Sequence, residues 1–106
     1  LKTKKFHRGL DIRVGMGTPL KASFTGVVTY ASPKGGYGNL IELERSDGIR
    51  VRYAHLDKIS VNKGDTVKEG QIIGATGNTG LSTGPHLHFE ILIDGNPVDP
   101  KKWNYF

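Results

Sequence analysis

The chain contains no cysteine. Disulfide bonds and thiolate metal sites are therefore excluded, and any metal ion must be held by histidine, aspartate or glutamate. No apolar run approaches the roughly 20 residues needed to cross a bilayer, so we expect no stable membrane insertion in this segment. Basic and aromatic residues do not interleave as they do in a base-stacking surface, which argues against nucleic acid as a partner.

The sequence also begins at Leu1, without a methionine or a signal peptide, and it has no linker, low-complexity tract or clean internal repeat. We therefore expect a piece excised from a longer precursor, whose localisation cannot be read from targeting signals. The 106 residues suffice for one domain with one core and are too few for two. We treat residues 1–106 as a single domain.

Glycine is abundant, with 15 residues that mostly separate short β-branched runs, and no long amphipathic helix is evident. This pattern predicts an all-β domain of short antiparallel strands. The clearest element is a hairpin of residues 40–44 and 49–55, because the Ser46-Asp47-Gly48 connection is a typical hairpin turn. The net charge of +5 favours an anionic partner, for which a charged wall polymer is one option.

Two histidines stand two residues apart where a Gly-Pro turn leads into an alternating stretch. On a strand, His86 and His88 would point to one face about 7 Å apart, whereas on a helix they would diverge by about 200°. Neutral imidazole is the commonest protein metal ligand and the usual acid–base group near neutral pH. The pair favours a metal or catalytic site, although a solvated strand face would look the same. Glu90 shares this face and would either orient a ligand from behind or form an ion pair at a sheet edge.

A third histidine, His7, precedes Asp11 by four residues. On one straight strand their side chains would lie about 13 Å apart and could not share a metal ion. A helix would bring them together, but Gly9 and the glycines that follow Asp11 disfavour a helix. A bend at Gly9 would also let the two side chains converge. The alternative is a surface loop with a capping aspartate.

The fourth histidine, His55, closes the predicted hairpin. Strand alternation places it with Tyr53, on the face opposite Arg50 and Arg52. If that face points inward, His55 is either a hydrogen-bonded core residue or a site residue.

Two other stretches carry weaker functional signals. In the glycine-rich loop of residues 32–39, Tyr37 and Asn39 could line a substrate cleft, but both residue types are ordinary in loops. Residues 61–74 look like the hairpin of a biotinyl or lipoyl carrier domain. However, no lysine stands at a hairpin tip where such a carrier would be modified.

All four histidines fall into three motifs: His7-x-Gly-x-Asp11, Tyr-Ala-His55-Leu, and Ser-Thr-Gly-Pro-His86-Leu-His88-Phe-Glu. In this order they resemble the lysostaphin-type zinc metallopeptidases, which cleave peptide bonds in bacterial peptidoglycan. The resemblance runs from about residue 6 to residue 100 and includes the Gly-Tyr-Gly-Asn loop. It also includes the segment of residues 61–74. Residues that precede the first motif in that family are cut short here, so part of the domain edge would be absent.

This resemblance implies that His7, Asp11 and His88 hold one Zn²⁺ per chain. It implies that His55 and His86 are catalytic residues off the metal, in a groove walled by glycine-rich loops. The implied activity is hydrolysis of peptide cross-links or bridges of peptidoglycan, in the periplasm, the cell wall or outside a bacterium. An upstream segment or partner could inhibit such an enzyme.

Two other functions compete with this interpretation. One is a catalytically inactive, binding or activating version of the same fold, although inactive copies typically lack a ligand and all five polar residues are present here. The other is a histidine phosphocarrier of related β-fold. It does not explain Asp11 or the pairing of His86 with His88.

Overall fold

A computed structural model describes residues 9–80 and 84–99 of the protein. These residues form nine strands, and every pairing between them is antiparallel. The strands are β1 (Leu10–Ile12), β2 (Pro19–Lys21), β3 (Gly26–Pro33), β4 (Asn39–Glu44), β5 (Arg50–Ile59), β6 (Thr66–Val67), β7 (Ile72–Thr76), β8 (Leu87–Ile93) and β9 (Asn96–Val98). The predicted all-β class with short antiparallel strands is confirmed.

The sheet runs in the order β1-β8-β5-β4-β3-β6, while β9 pairs with β8 and β7 joins β2 to β5. The predicted hairpin is present as β4 and β5, and β5 continues past the predicted end at residue 55 to Ile59. Strand β8 pairs with β1, β5 and β9 and carries His88, whereas His86 lies in the turn just before it and not, as alternation predicts, on the strand. Within the described residues, no helix is long and apolar enough to cross a membrane.

One face of the β1-β8-β5 region belongs to the hydrophobic core. Phe89 lies opposite Leu10 on one side and Tyr53 on the other, and all three are almost completely buried. The rings of Phe89 and Tyr53 are 5.4 Å apart. Because side chains alternate along each strand, the neighbouring row faces the opposite side. In that row, His88 lies opposite Asp11 and Glu90 lies opposite Arg52.

A bulge in β5 changes the position of His55. Tyr53 pairs with Ile41 and Leu56 pairs with Asn39, so β5 has one residue more than β4 across this interval. The extra residue lets Tyr53 and Leu56 both reach the core, and His55 adopts a positive φ of 61°. The prediction from strand alternation is therefore wrong: the His55 ring lies beside His88, on the side of Arg52.

Candidate active site

Strands β1 and β8 bring a carboxylate and an imidazole together. Asp11 and His88 are direct cross-strand partners, and Nδ1 of His88 lies 2.7 Å from Oδ1 of Asp11. Gly9 lets the chain come this close to β8, because a Cβ at Gly9 would lie 2.2 Å from the carbonyl oxygen of Phe89. This close approach places Asp11, two residues later, beside His88. The glycine in the first motif is thus required by close backbone approach.

Glu90 supports His88 from inside the protein. Its side chain is fully buried, and Oε2 accepts a hydrogen bond of 2.8 Å from Nε2 of His88. Burial alone would lower the pKa of His88, but the hydrogen bonds to Glu90 and Asp11 outweigh it and raise that pKa. In the same way, burial would raise the pKa of Glu90, but the contacts with His88, Tyr37 and Arg52 lower it. Of the two roles considered for Glu90, the structure shows contacts for both: a hydrogen bond to His88 and an ion pair with Arg52.

This geometry fits a metal ligand. Both partners of His88 are carboxylates, which only accept, so Nε2 donates to Glu90 and Nδ1 donates to Asp11. A metal ion on Nδ1 would take the place of the proton shared with Asp11, while Nε2 would keep its bond to Glu90, and metal-bound histidines commonly have such a carboxylate behind them. Among residues 9–80 and 84–99, no group of three or more metal-ligand residues forms a site. The third predicted ligand, His7, lies outside the described residues.

A polar network extends behind Glu90. Its carboxylate accepts hydrogen bonds from the Tyr37 hydroxyl at 3.1 Å and from Nη1 of Arg52 at 3.4 Å. Nε of Arg52 also donates to buried Glu42 at 2.7 Å, and Glu42 accepts from the Thr29 hydroxyl at 2.8 Å. Arg52 thus pairs with both buried carboxylates, and Nη1 of Arg50 lies 3.4 Å from Glu42 as a second partner, so the network favours an ionised Glu90 and holds it in place. Sequence analysis missed Arg52 and Glu42, and it treated Tyr37 as a possible cleft residue.

His55 lies in the interior beside the histidine pair. Only 7% of its surface is exposed, and Nδ1 donates to the carbonyl oxygen of Thr79 at 2.6 Å. Because a carbonyl only accepts, the proton of neutral His55 is on Nδ1 and the lone pair is on Nε2. Burial lowers the pKa of His55 and favours this neutral form.

His86 completes the cluster from the turn that precedes β8. Its Nδ1 donates to the carbonyl oxygen of Gly84 at 2.8 Å, and Nε2 lies 3.4 Å from Oδ1 of Asp11. The rings of His86 and His55 are 4.8 Å apart, and those of His55 and His88 are 6.0 Å apart. A backbone bridge to Gly77 fixes the turn. The four predicted site residues within the described residues thus converge on one small volume.

The model of the family described as Peptidase family M23 matches residues 5–100. Among curated proteins, peptidoglycan DD-endopeptidase ShyA of Vibrio cholerae is 43% identical over 98 residues, which cover 92% of this chain and 23% of the relative. The chain spans less than a quarter of the length of the curated relatives that match it at 43–46% identity.

Solved structures that are 42% identical to this chain share its fold. The catalytic domain of the antimicrobial peptidase lysostaphin from Staphylococcus simulans has a TM-score of 0.86 and 42% identity, covering 92% of this chain and 78% of that chain. A zinc-containing peptidase from Vibrio cholerae has a TM-score of 0.83 and 42% identity, covering 87% of this chain and 28% of that chain.

Proposed function

The chain belongs to peptidase family M23, and on that basis we propose that it is a zinc-dependent endopeptidase. Its substrate is the peptide cross-links or bridges of bacterial peptidoglycan. The observation that carries this proposal is the convergence of Asp11, His88, His86 and His55 in one volume, with buried Glu90 behind His88. The names of the relatives, a peptidoglycan endopeptidase and an antimicrobial peptidase, support the reaction and the substrate class.

His7, Asp11 and His88 are the residues that would hold one zinc ion. Two imidazoles and one carboxylate are a donor set that zinc accepts, and the solved zinc-containing peptidase supports this choice of metal. When bound in such a site, zinc activates a water molecule near neutral pH and polarises the carbonyl of the scissile bond. Glu90 contributes by accepting the Nε2 proton of His88, so that Nδ1, which lies beside Asp11, is the nitrogen that would bind the metal.

His55 and His86 would handle the protons of the reaction. Each ring donates its Nδ1 proton to a backbone carbonyl, so the Nε2 atom of each neutral ring is the basic one. An imidazole in this state accepts a proton during attack on the carbonyl and, once protonated, delivers it to the departing amine. A protonated imidazole also stabilises the negative oxygen of the tetrahedral intermediate. The two rings are close enough to divide these tasks over one substrate.

The proposed substrate places the enzyme in the periplasm, the cell wall or outside a bacterium. A chain with a net charge of +5 is also suited to an anionic wall polymer. Inhibition by an upstream segment or partner stays a prediction. The inactive version of the fold and the histidine phosphocarrier are not favoured, because the relatives are peptidases and the acid–base residues are present.

Digestion of purified peptidoglycans tests the proposal. The protein is incubated with peptidoglycans that differ in bridge chemistry, and the new termini are identified by mass spectrometry. We expect cleavage of a peptide bond in at least one of them, loss of cleavage with a chelator, and recovery with added zinc. The His86→Ala variant serves as the inactive control. A zinc-loaded protein that cleaves none of the substrates would contradict the proposal.

A further inference from the structure

Two glycine-rich loops contact each other beside His55. One is the turn of Gly35–Tyr37 with the following Gly38, and the other contains Thr79 and Gly80. A Cβ at Gly38 would lie 2.4 Å from the carbonyl carbon of Thr79, and a Cβ at Gly80 would lie 2.3 Å from the backbone nitrogen of Gly38. Both glycines also have positive φ, 64° and 76°. No side chain fits at either position without moving the loops apart.

Thr79 is the residue at which the loops and strands join. Its hydroxyl donates to the carbonyl oxygen of Leu56 at 2.6 Å and accepts from the backbone N–H of Asn39 at 3.1 Å. The Asn39 side chain donates to the same Leu56 carbonyl at 2.9 Å. Thr79 is thereby tied to the first residue of β4 and to the residue that follows His55 in β5. Its carbonyl oxygen is held where it accepts the Nδ1 proton of His55.

His55 needs such an external support. It is the extra residue of the β5 bulge and has a positive φ, so regular strand pairing does not fix its side chain. The bond to the Thr79 carbonyl is the hydrogen bond that sets which ring nitrogen carries the proton. If the carbonyl moved away, both tautomers of His55 would be accessible, and only one of them has a basic Nε2.

We propose that Thr79 is a positioning residue that fixes the tautomer and orientation of His55, and that the contact between Gly38 and Gly80 holds Thr79 in place. Asn39 then supports the site through Thr79 and Leu56. This inference rests on the proposed function for its effect on the reaction rate. Its structural part, the tautomer of His55, is independent of that function. The two glycine-rich loops would thus act on the reaction through one imidazole.

The test compares Thr79→Val, which removes the hydroxyl at nearly constant shape, with Thr79→Ser, which keeps it. Gly80→Ala should also move the Thr79 carbonyl away from His55, because the added Cβ forces the two loops apart while every hydrogen-bonding side chain is kept. Thr25→Val is the matched control: Thr25 is exposed, and its hydroxyl accepts a bond from the backbone of Glu69. For each preparation, bound zinc, kcat, KM and the ring ¹⁵N shifts of His55 are measured. The His55 signals are assigned with a His55→Ala sample.

We expect wild-type His55 to carry its proton on Nδ1. Thr79→Val and Gly80→Ala should shift His55 toward a tautomer mixture and lower kcat by about tenfold to a hundredfold, less than the roughly 10²- to 10⁴-fold lost when a positioned acid–base group is removed, because the imidazole itself remains. Bound zinc should be unchanged in both. Thr79→Ser and Thr25→Val should both show the wild-type His55 signals and the wild-type rate.

Three results would overturn the inference. The first is a wild-type His55 with its proton on Nε2, and the second is Thr79→Val with an unchanged tautomer, whatever its rate. The third is an equal effect of Thr25→Val, which would mean that the changes report general destabilisation. If Thr79→Val does not fold, Gly80→Ala decides by the same criteria. A wild-type protein without peptidase activity would contradict the proposed function, while the ¹⁵N shifts would still decide the role of Thr79.

Discussion

Replacing Glu90 by glutamine should weaken zinc binding, because Glu90 is the group that directs His88. The buried carboxylate accepts bonds from Nε2 of His88 at 2.8 Å, from the Tyr37 hydroxyl at 3.1 Å and from Nη1 of Arg52 at 3.4 Å. Glutamine has nearly the same shape but only one accepting oxygen, and its amide group would face at least one of these donors. It also removes the negative charge behind the imidazole.

The expected loss follows from the position of Glu90 directly behind a ligand. Groups that hold a metal-bound histidine typically contribute 10- to 100-fold in metal affinity. This corresponds to about 1.4–2.7 kcal/mol of binding free energy. Because the glutamine oxygen still offers one acceptor to His88, we expect the lower half of this range for Glu90→Gln.

Glu42→Gln is the matched control. Glu42 is also buried and also binds Arg52, at 2.7 Å, but its side-chain partners among the described residues are Thr29, Arg50 and Arg52 rather than His88. Both variants lose a hydrogen bond to a charged group, so both should lower the free energy of unfolding by roughly 1–3 kcal/mol. Competition with a chromogenic chelator gives the zinc dissociation constant of each. The reasoning is refuted if Glu90→Gln binds zinc as tightly as the wild type, or if Glu42→Gln weakens binding equally.

Three further predictions concern the histidines and the core. His88→Ala should abolish zinc binding, whereas His86→Ala should keep about one zinc per chain and lose roughly 10²- to 10⁴-fold in rate; the reverse outcome in elemental analysis would exchange the two roles. His55→Ala should behave like His86→Ala, and combining them should cost much less than the product of the single losses, because both act on one transition state; rate losses that simply multiply would contradict this. Burial raises the pKa of Tyr53 to about 12 from 10.0. The folded protein therefore retains a proton that the unfolded chain releases, so the contribution of Tyr53 to stability is complete below pH 10 and is lost as pH rises toward 12. Tyrosinate absorbance of the wild type should show one tyrosine that ionises near pH 12, and this transition should be absent from Tyr53→Phe. If Tyr53→Phe instead loses a tyrosine that ionises near pH 10, the prediction is wrong.

Local patterns in the sequence predict the strands that carry the site. Alternation identifies β8 with His88, and the Ser46-Asp47-Gly48 turn identifies the hairpin of β4 and β5. These elements are predictable because turn chemistry and side-chain alternation act within a few residues. The resemblance to a known family adds the grouping of Asp11 with His55, His86 and His88, which local pattern alone left open.

The remaining features depend on contacts between distant parts of the chain. The side of the sheet on which His55 lies is set by a bulge, and a histidine with positive φ has no signal in strand alternation. The bond from His55 to Thr79 spans 24 residues, and the bond from Tyr37 to Glu90 spans 53. Such pairs depend on the order of the strands in the sheet, and local patterns in a single sequence do not reveal that order.

The most direct test of the account measures bound zinc and hydrolysis on the same preparation of the wild-type chain. We predict one zinc per chain, loss of peptidoglycan hydrolysis in step with removal of the metal by a chelator, and recovery in proportion to the zinc restored. A metal-free preparation that hydrolyses peptidoglycan at the full rate in the presence of chelator would contradict the proposed mechanism.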